Sequence, residues 1–268
     1  MIDKSIIFKI IGSLLFIEAL LLLACLFMAI GYQEDDVPAF IITIILTTLT
    51  GIVLRYLGRN ADNNMSRRDA YLVVTLSWII FSFFGTLPFI ISGYIPSFTD
   101  AYFETMSGFT TTGATIIDDV DKLPHGLLFW RSMTQWIGGL GIVFFTTAVL
   151  PSFVGGSVKV FAAEATGPIS SRLHPRLSTG AKWIWVVYLV LTIGCVLSFM
   201  ACGMGWFDSI NYAMGSTATG GFSTHTDSAE FFRSPAVEYV ATFFCFFSGV
   251  NFTLMYMAAK HRSIKMMF

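Results

Sequence analysis

The chain has 268 residues, 55% of them hydrophobic and only 12% charged, with a formal net charge of −1. Soluble domains carry about a quarter charged residues, so this composition excludes an ordinary water-soluble globule and argues for the bilayer. The near-zero net charge also argues against a nucleic-acid partner. The four cysteines, Cys25, Cys195, Cys202 and Cys245, fall in or at the ends of apolar stretches. Their spacing fits neither a metal site nor a disulfide framework, so they read as small core or lipid-facing residues.

A helix needs about 20 apolar residues to cross the hydrocarbon core. In chain order, the stretches that qualify are 10–30, 39–57, 71–92, 126–150, 183–201 and 236–259. Turn-like or charged segments separate them, among them Gln33-Glu-Asp-Asp36 and Asp118-Asp-Val-Asp121. The first stretch has Lys4 and Lys9 before it and Leu22-Leu-Ala-Cys25 within it, which together resemble a cleaved signal. Glu18 and the apolar run beyond Cys25 favour a retained span instead.

Two segments stand apart: Phe109-Thr-Thr-Thr-Gly113-Ala-Thr115 and Thr217-Ala-Thr-Gly-Gly221-Phe-Ser223. Laying Asp100 on Asp208 aligns Met106 with Met214, Thr111 with Thr219, Gly113 with Gly221 and Thr115 with Ser223, without a gap. Thr and Gly at bilayer depth offer lipid no side chain suited to packing. Irregular backbone is tolerated there only where it lines a protein-enclosed path. Carbonyl rings that replace a cation's hydration shell are how potassium filters are built.

With six spans and the N-terminus inside, all 16 Lys and Arg except Lys122, Arg131 and Arg233 fall on the inner side. This positive-inside bias survives only if the two Thr/Gly segments dip in and return outward, as re-entrant pore loops. The carboxylates Glu34, Asp35, Asp36, Asp118, Asp119, Asp121, Asp227 and Glu230 then lie outside. They are either solvated outer loops or a vestibule that concentrates cations.

Residues 100–108 have the length and residue types of a short helix, with Thr99 or Asp100 as N-cap. Entering from outside, that helix points its negative end at the membrane centre, where a cation would sit. The ion ligands expected are Thr111, Thr112 and Gly113 in the first copy and Thr219, Gly220 and Gly221 in the second. Thr110, Ala114, Ala218 and Phe222 extend the filter. Gly113 permits backbone angles that a Cβ would penalise. The blander alternative is a pair of Gly/Thr turns between helices, against which the ungapped repeat weighs.

The expected fold is an all-α polytopic membrane protein with two N-terminal transmembrane helices, then two repeats of span, pore helix, filter and span. Its divisions are 1–68 for the two-helix region, 69–155 for the first repeat, 156–182 for a cytoplasmic linker and 183–268 for the second repeat. Gly138, Gly139 and Gly141 are a bending point for gating or a close-packing surface. Arg131 is expected to brace the pore helix through Glu104 or an outer carboxylate. His125, His174 and His225 read as solvated or capping residues. Ser248, Gly249 and Asn251 should face protein or a water-filled path, and Glu18 should face protein.

The chain resembles the Trk/Ktr/HKT superfamily of potassium transporters, most closely the N-terminal half of its bacterial TrkH/TrkG branch. The resemblance rests on Asp100-Ala-Tyr-Phe-Glu-Thr-Met-Ser-Gly-Phe-Thr-Thr-Thr-Gly-Ala-Thr115, Leu123-Pro-His125, Phe129-Trp-Arg-Ser-Met-Thr-Gln-Trp-Ile-Gly-Gly-Leu-Gly-Ile142 and Thr219-Gly-Gly-Phe-Ser-Thr-His225. It implies potassium uptake across the bacterial cytoplasmic membrane, with four such repeats around one pore. It also implies a filter glycine in each repeat, here Gly113 and Gly221, a homodimer, and a separate cytoplasmic nucleotide-binding regulatory subunit of the TrkA type.

Only two of the four implied repeats are present, which reads as a truncated transporter or as a chain that pairs with a second copy. Rival classes are a carrier for another cation or small solute, an accessory half of a channel, and a membrane enzyme. The enzyme would need a nucleophile–base pair or metal cluster within the spans, and the sequence shows none there. Inverted-repeat carriers fit poorly, because both loops enter from the same side.

Overall fold

The computed structural model describes residues 3–61, 66–141 and 177–250, with residues 252 and 255. Among these residues all regular structure is helical, in eight α-helices and two short 3-10 turns. Four stretches are long and apolar enough to cross a membrane: Lys4–Tyr32, Val37–Leu57, Arg68–Ser92 and Trp183–Ala201. The all-α membrane fold expected from the sequence is the one observed.

The chain forms two compact units. The first contains α1 (Lys4–Tyr32), α2 (Val37–Leu57), α3 (Arg67–Ser92), most of α4 (Phe98–Phe109) and the start of α5 (His125–Leu140). Asp3 caps α1 by accepting hydrogen bonds from the Ser5 and Ile6 N–H groups. Ser66 and Asp69 form a reciprocal capping box at the start of α3. Asp69 also accepts the Asp3 N–H at 3.1 Å, tying the starts of α1 and α3 together.

Small residues let α1 and α2 approach closely: a Cβ on Gly12 would lie 2.8 Å from the Gly51 carbonyl oxygen. Such contacts drive helix association where lipid removes the hydrophobic incentive. Leu20, Phe27, Leu49 and Val53 remain exposed, as residues facing hydrocarbon should.

The start of α5 is anchored in this unit. Glu34 accepts the His125 N–H at 2.6 Å and pairs with His125 Nδ1 at 2.8 Å. Tyr32 stacks on the same imidazole with centroids 3.7 Å apart. His125 is therefore clamped in place, which corrects the solvated-or-capping expectation. Gly126 leaves room for the buried Asp36, Phe40 and Ala29. Burial, and then the charge of Glu34, push the Asp36 carboxyl up to about 6.

The N-cap of α4 also differs from expectation. The helix begins at Phe98, and the Asp100 N–H reaches Ser97 Oγ at 3.4 Å. Ser97 takes the capping place because its hydroxyl meets the N–H three residues on, whereas Thr99 and Asp100 already lie in the first turn.

The second unit contains Ser107–Leu123, Leu128–Leu140 and the chain from Lys182 onward. Its helices are the ends of α4 and α5, most of α6 (Leu177–Ala201), α7 (Trp206–Thr217) and α8 (Pro235–Ser248). Cys195, Phe199, Met204, Tyr212, Ala213 and Val237 form one apolar core cluster from α6, α7, α8 and the turn between α6 and α7. Glu18 is buried, as expected, and neither carboxylate oxygen has a hydrogen-bond partner among the described residues. Residues 142–150 of the fourth expected span, most of the 156–182 linker with His174, and most of the chain beyond Val250, Asn251 included, lie outside the described residues.

Candidate ion-filter site

The two Thr/Gly segments adopt the same backbone. Each follows a 12-residue helix, α4 or α7. The Thr111 N–H donates to Gly108 O at 2.9 Å, and the Thr219 N–H donates to Ser216 O at 3.1 Å. One residue on, the Thr112 N–H donates to Ser107 O at 3.0 Å, and the Gly220 N–H to Gly215 O at 2.9 Å. Positive φ recurs in register, at 53° and 55° for Thr111 and Thr219 and at 74° and 84° for Gly113 and Gly221. All these pairs keep the offset that relates Asp100 to Asp208. A β-branched residue at positive φ is an outlier that persists only where its surroundings over-determine it. Here the outlier occurs twice, at matching positions.

Exposure sorts the expected site residues. Thr110, Thr112, Ala114, Thr219 and Gly221 are exposed, Thr111 and Gly113 are half-buried, and Ala218, Gly220 and Phe222 are buried. The loops meet at Gly113, where an added Cβ would run into the Gly220 carbonyl oxygen. Thr110 and Thr112 share a hydroxyl hydrogen bond of 2.8 Å.

One face of α5 holds both loops, through residues spaced for a single helical stripe. Arg131 is 2% exposed. It donates from Nη1 to Ser223 O at 3.0 Å and from Nη2 to Thr115 Oγ1 at 3.3 Å. Its guanidinium lies 4.3 Å from the Phe222 ring centroid. Arg131 thus links Thr115 and Ser223, the residues that end the two matched segments. Gln135 Oε1 accepts the Phe222 N–H at 3.0 Å. Gly138 packs on the Phe109 backbone, and Gly139 on Ala218 and the Tyr188 hydroxyl. Of the two readings for these glycines, close packing is the one observed at 138 and 139. Gly141 has φ 82°, a conformation that favours glycine.

A polar clasp joins the segments that follow the two Thr/Gly loops. Asp121 Oδ1 pairs with His225 Nδ1 at 2.6 Å, and Oδ2 accepts the Thr226 N–H at 3.0 Å. The Val120 N–H donates to Thr226 Oγ1 at 2.9 Å. His225 stacks on Phe231 at 3.5 Å, with Nε2 3.6 Å from Asp208 Oδ1. The Thr226 N–H, then His225, hold the Asp121 carboxyl down at about 2. His225 is therefore a clasp residue rather than a solvated one. Sequence reading missed Gln135 altogether; the available signal was a lone amide one turn beyond Arg131 in an apolar stretch.

Among the described residues, no group of three His, Cys, Asp or Glu side chains could hold a metal ion. What the site offers is backbone carbonyls and hydroxyls on two matched loops, braced from one helix. Rings of backbone carbonyls are one way in which proteins replace a cation's hydration shell.

The chain is similar to known proteins. The Trk system potassium uptake protein TrkH of Halomonas elongata is 36% identical over 260 residues, 96% of this chain and 54% of that protein. Escherichia coli K12 TrkH is 37% identical over 239 residues, 88% of this chain and 50% of its own length. TrkG of the same strain is 36% identical over 256 residues, covering 95% and 53%. The crystal structure of the potassium transporter TrkH from Vibrio parahaemolyticus matches with a TM-score of 0.82 at 35% identity, covering 97% of this chain and 53% of that one. The chain spans about half the length of the curated relatives it matches. The TrkH family profile, described as a cation transport protein, matches residues 36–268. With that match over most of its length, the chain belongs to the TrkH family, a family of cation transporters and not of enzymes.

Proposed function

We propose that this chain takes part in potassium uptake across the bacterial cytoplasmic membrane, through a path lined by Thr111, Thr112, Gly113, Thr219, Gly220 and Gly221. The observation that carries this reading is the doubled left-handed turn, φ 53° and 74° in one loop and 55° and 84° in the other. Alternating left-handed and other conformations lets neighbouring carbonyls turn to one side, where they can replace an ion's water shell. Thr110, Ala114, Ala218 and Phe222 shape the ends of the path. The relatives named potassium uptake proteins support potassium as the ion carried.

Two loops face a dehydrated ion with carbonyls on about half its surroundings, and an ion left otherwise bare is prohibitively costly. Further repeats of the same kind complete the ring, on the same polypeptide or on a second copy. A homodimer and a nucleotide-binding regulatory subunit on the cytoplasmic side complete the assembly.

Ion uptake into liposomes containing the transporter assembled with this chain tests the reading. Potassium uptake should exceed sodium uptake by about tenfold or more. Equal uptake of the two ions would remove the filter, leaving a carrier of other specificity.

The orientation has its own test. Asp119→Cys and Ser228→Cys should react with a membrane-impermeant thiol reagent added outside intact cells, and Ser170→Cys only in inverted vesicles. Outside labelling of Ser170→Cys would overturn the topology with the N-terminus inside.

A further inference from the structure

Gln135 lies one turn beyond Arg131 on α5 and is fully buried. Its Oε1 accepts the Phe222 N–H at 3.0 Å, while its Nε2 has no hydrogen-bond partner among the described residues. A Cβ on Gly215 would lie 3.4 Å from Oε1, and one on Gly113 would lie 3.8 Å from Nε2. One amide therefore sits against both filter loops.

The two loops are held differently. In the first, Ser107 Oγ donates to Ala114 O at 2.6 Å, a bracket supplied by the loop's own helix. The matching residue of the second copy is Gly215, which has no hydroxyl, and a Cβ there would come within 2.9 Å of Phe222 O. The second loop lacks that internal bracket, and α5 supplies one from outside.

The amide has one workable orientation. Turned over, it would set its NH2 against the Phe222 N–H, donor against donor. The observed orientation leaves a buried donor unpaired, which is costly and which packing alone would not require.

In a trans peptide the N–H and the preceding C=O point in opposite directions. Fixing the Phe222 N–H on Gln135 therefore turns the Gly221 carbonyl away from α5, on the side where Gly221 is exposed and Phe222 is not. We propose that Gln135 is a specificity-determining positioning residue, holding the second filter loop in its ion-coordinating conformation through the Phe222 amide. This rests on the potassium-filter reading above.

Gln135→Leu keeps the approximate volume and removes the acceptor; Gln135→Glu keeps an acceptor. Both go into the assembled transporter in liposomes, with the potassium-to-sodium uptake ratio and hydrogen exchange of the 219–223 segment as readouts. Gln135→Leu should lower the ratio about tenfold and speed exchange at Phe222, while Gln135→Glu stays within about twofold of the wild type. Should Gln135→Leu fail to fold, Gln135→Met provides the same comparison. An unchanged ratio in the acceptor-free variant, or an equal loss in Gln135→Glu, overturns the proposal. A wild-type assembly without potassium preference would sink the filter reading instead. The exchange rate at Phe222 would then still decide whether the bracket exists.

Discussion

Gly113→Ser is expected to abolish potassium selectivity, whereas Gly221→Ser should weaken it only partly. Both glycines have positive φ, 74° and 84°, so any side chain at either position strains the backbone. That strain is about 1–2 kcal/mol per residue. The surroundings then separate them. A Cβ on Gly113 would run into the Gly220 carbonyl oxygen of the other loop, so both filter segments must shift together. A Cβ on Gly221 meets nothing within 4 Å. Uptake of potassium and sodium, measured side by side for the two variants, checks the order. A larger loss at Gly221 than at Gly113 would mean that the loops do not meet as described.

Gly138→Ala should be among the most destabilising single substitutions in the chain. The added Cβ would lie 3.0 Å from Phe109 Cα and 2.6 Å from its carbonyl carbon, and closer still to its oxygen. These are backbone atoms at the end of α4, so no side-chain rotation relieves the overlap. Moving them moves Thr110–Thr112 directly. Overpacking of a well-filled site costs about 1–3 kcal/mol, and more where only backbone can yield. Gly194→Ala is the control, because its Cβ would make ordinary contacts of 3.6 Å with the Phe244 ring. Thermal unfolding of the detergent-solubilised protein should show a clear fall for Gly138→Ala and almost none for Gly194→Ala. If Gly138→Ala were as stable and as active as the wild type, the hinge reading of this glycine would regain its footing.

Much of the architecture follows from rules that act locally along the chain. Long apolar stretches can satisfy their backbone in lipid only as helices, which marks Lys4–Tyr32, Val37–Leu57, Arg68–Ser92 and Trp183–Ala201 without any knowledge of packing. The doubled Thr/Gly segment was legible because the repeat is visible in the residues themselves, and Gly113 and Gly221 accept the left-handed conformation found there.

What holds those turns was not legible. The Gln135 bracket joins residues 87 apart, and the Asp121–His225 pair joins residues 104 apart. Neither a lone amide in an apolar stretch nor a histidine in a polar loop announces its partner, because hydrogen bonding depends on distance in space rather than along the chain. Gly138 and Gly139 make the same point. A small residue in a helix is compatible with bending or with contact, and only the approach of the Phe109 backbone and of Ala218 decides for contact. The sequence by itself thus determined that two matched Thr/Gly loops exist and where each lies in the chain. The tertiary structure alone decided that a single helix, α5, carries Arg131, Gln135, Gly138 and Gly139 against both of them, since that face is defined only by what packs on it.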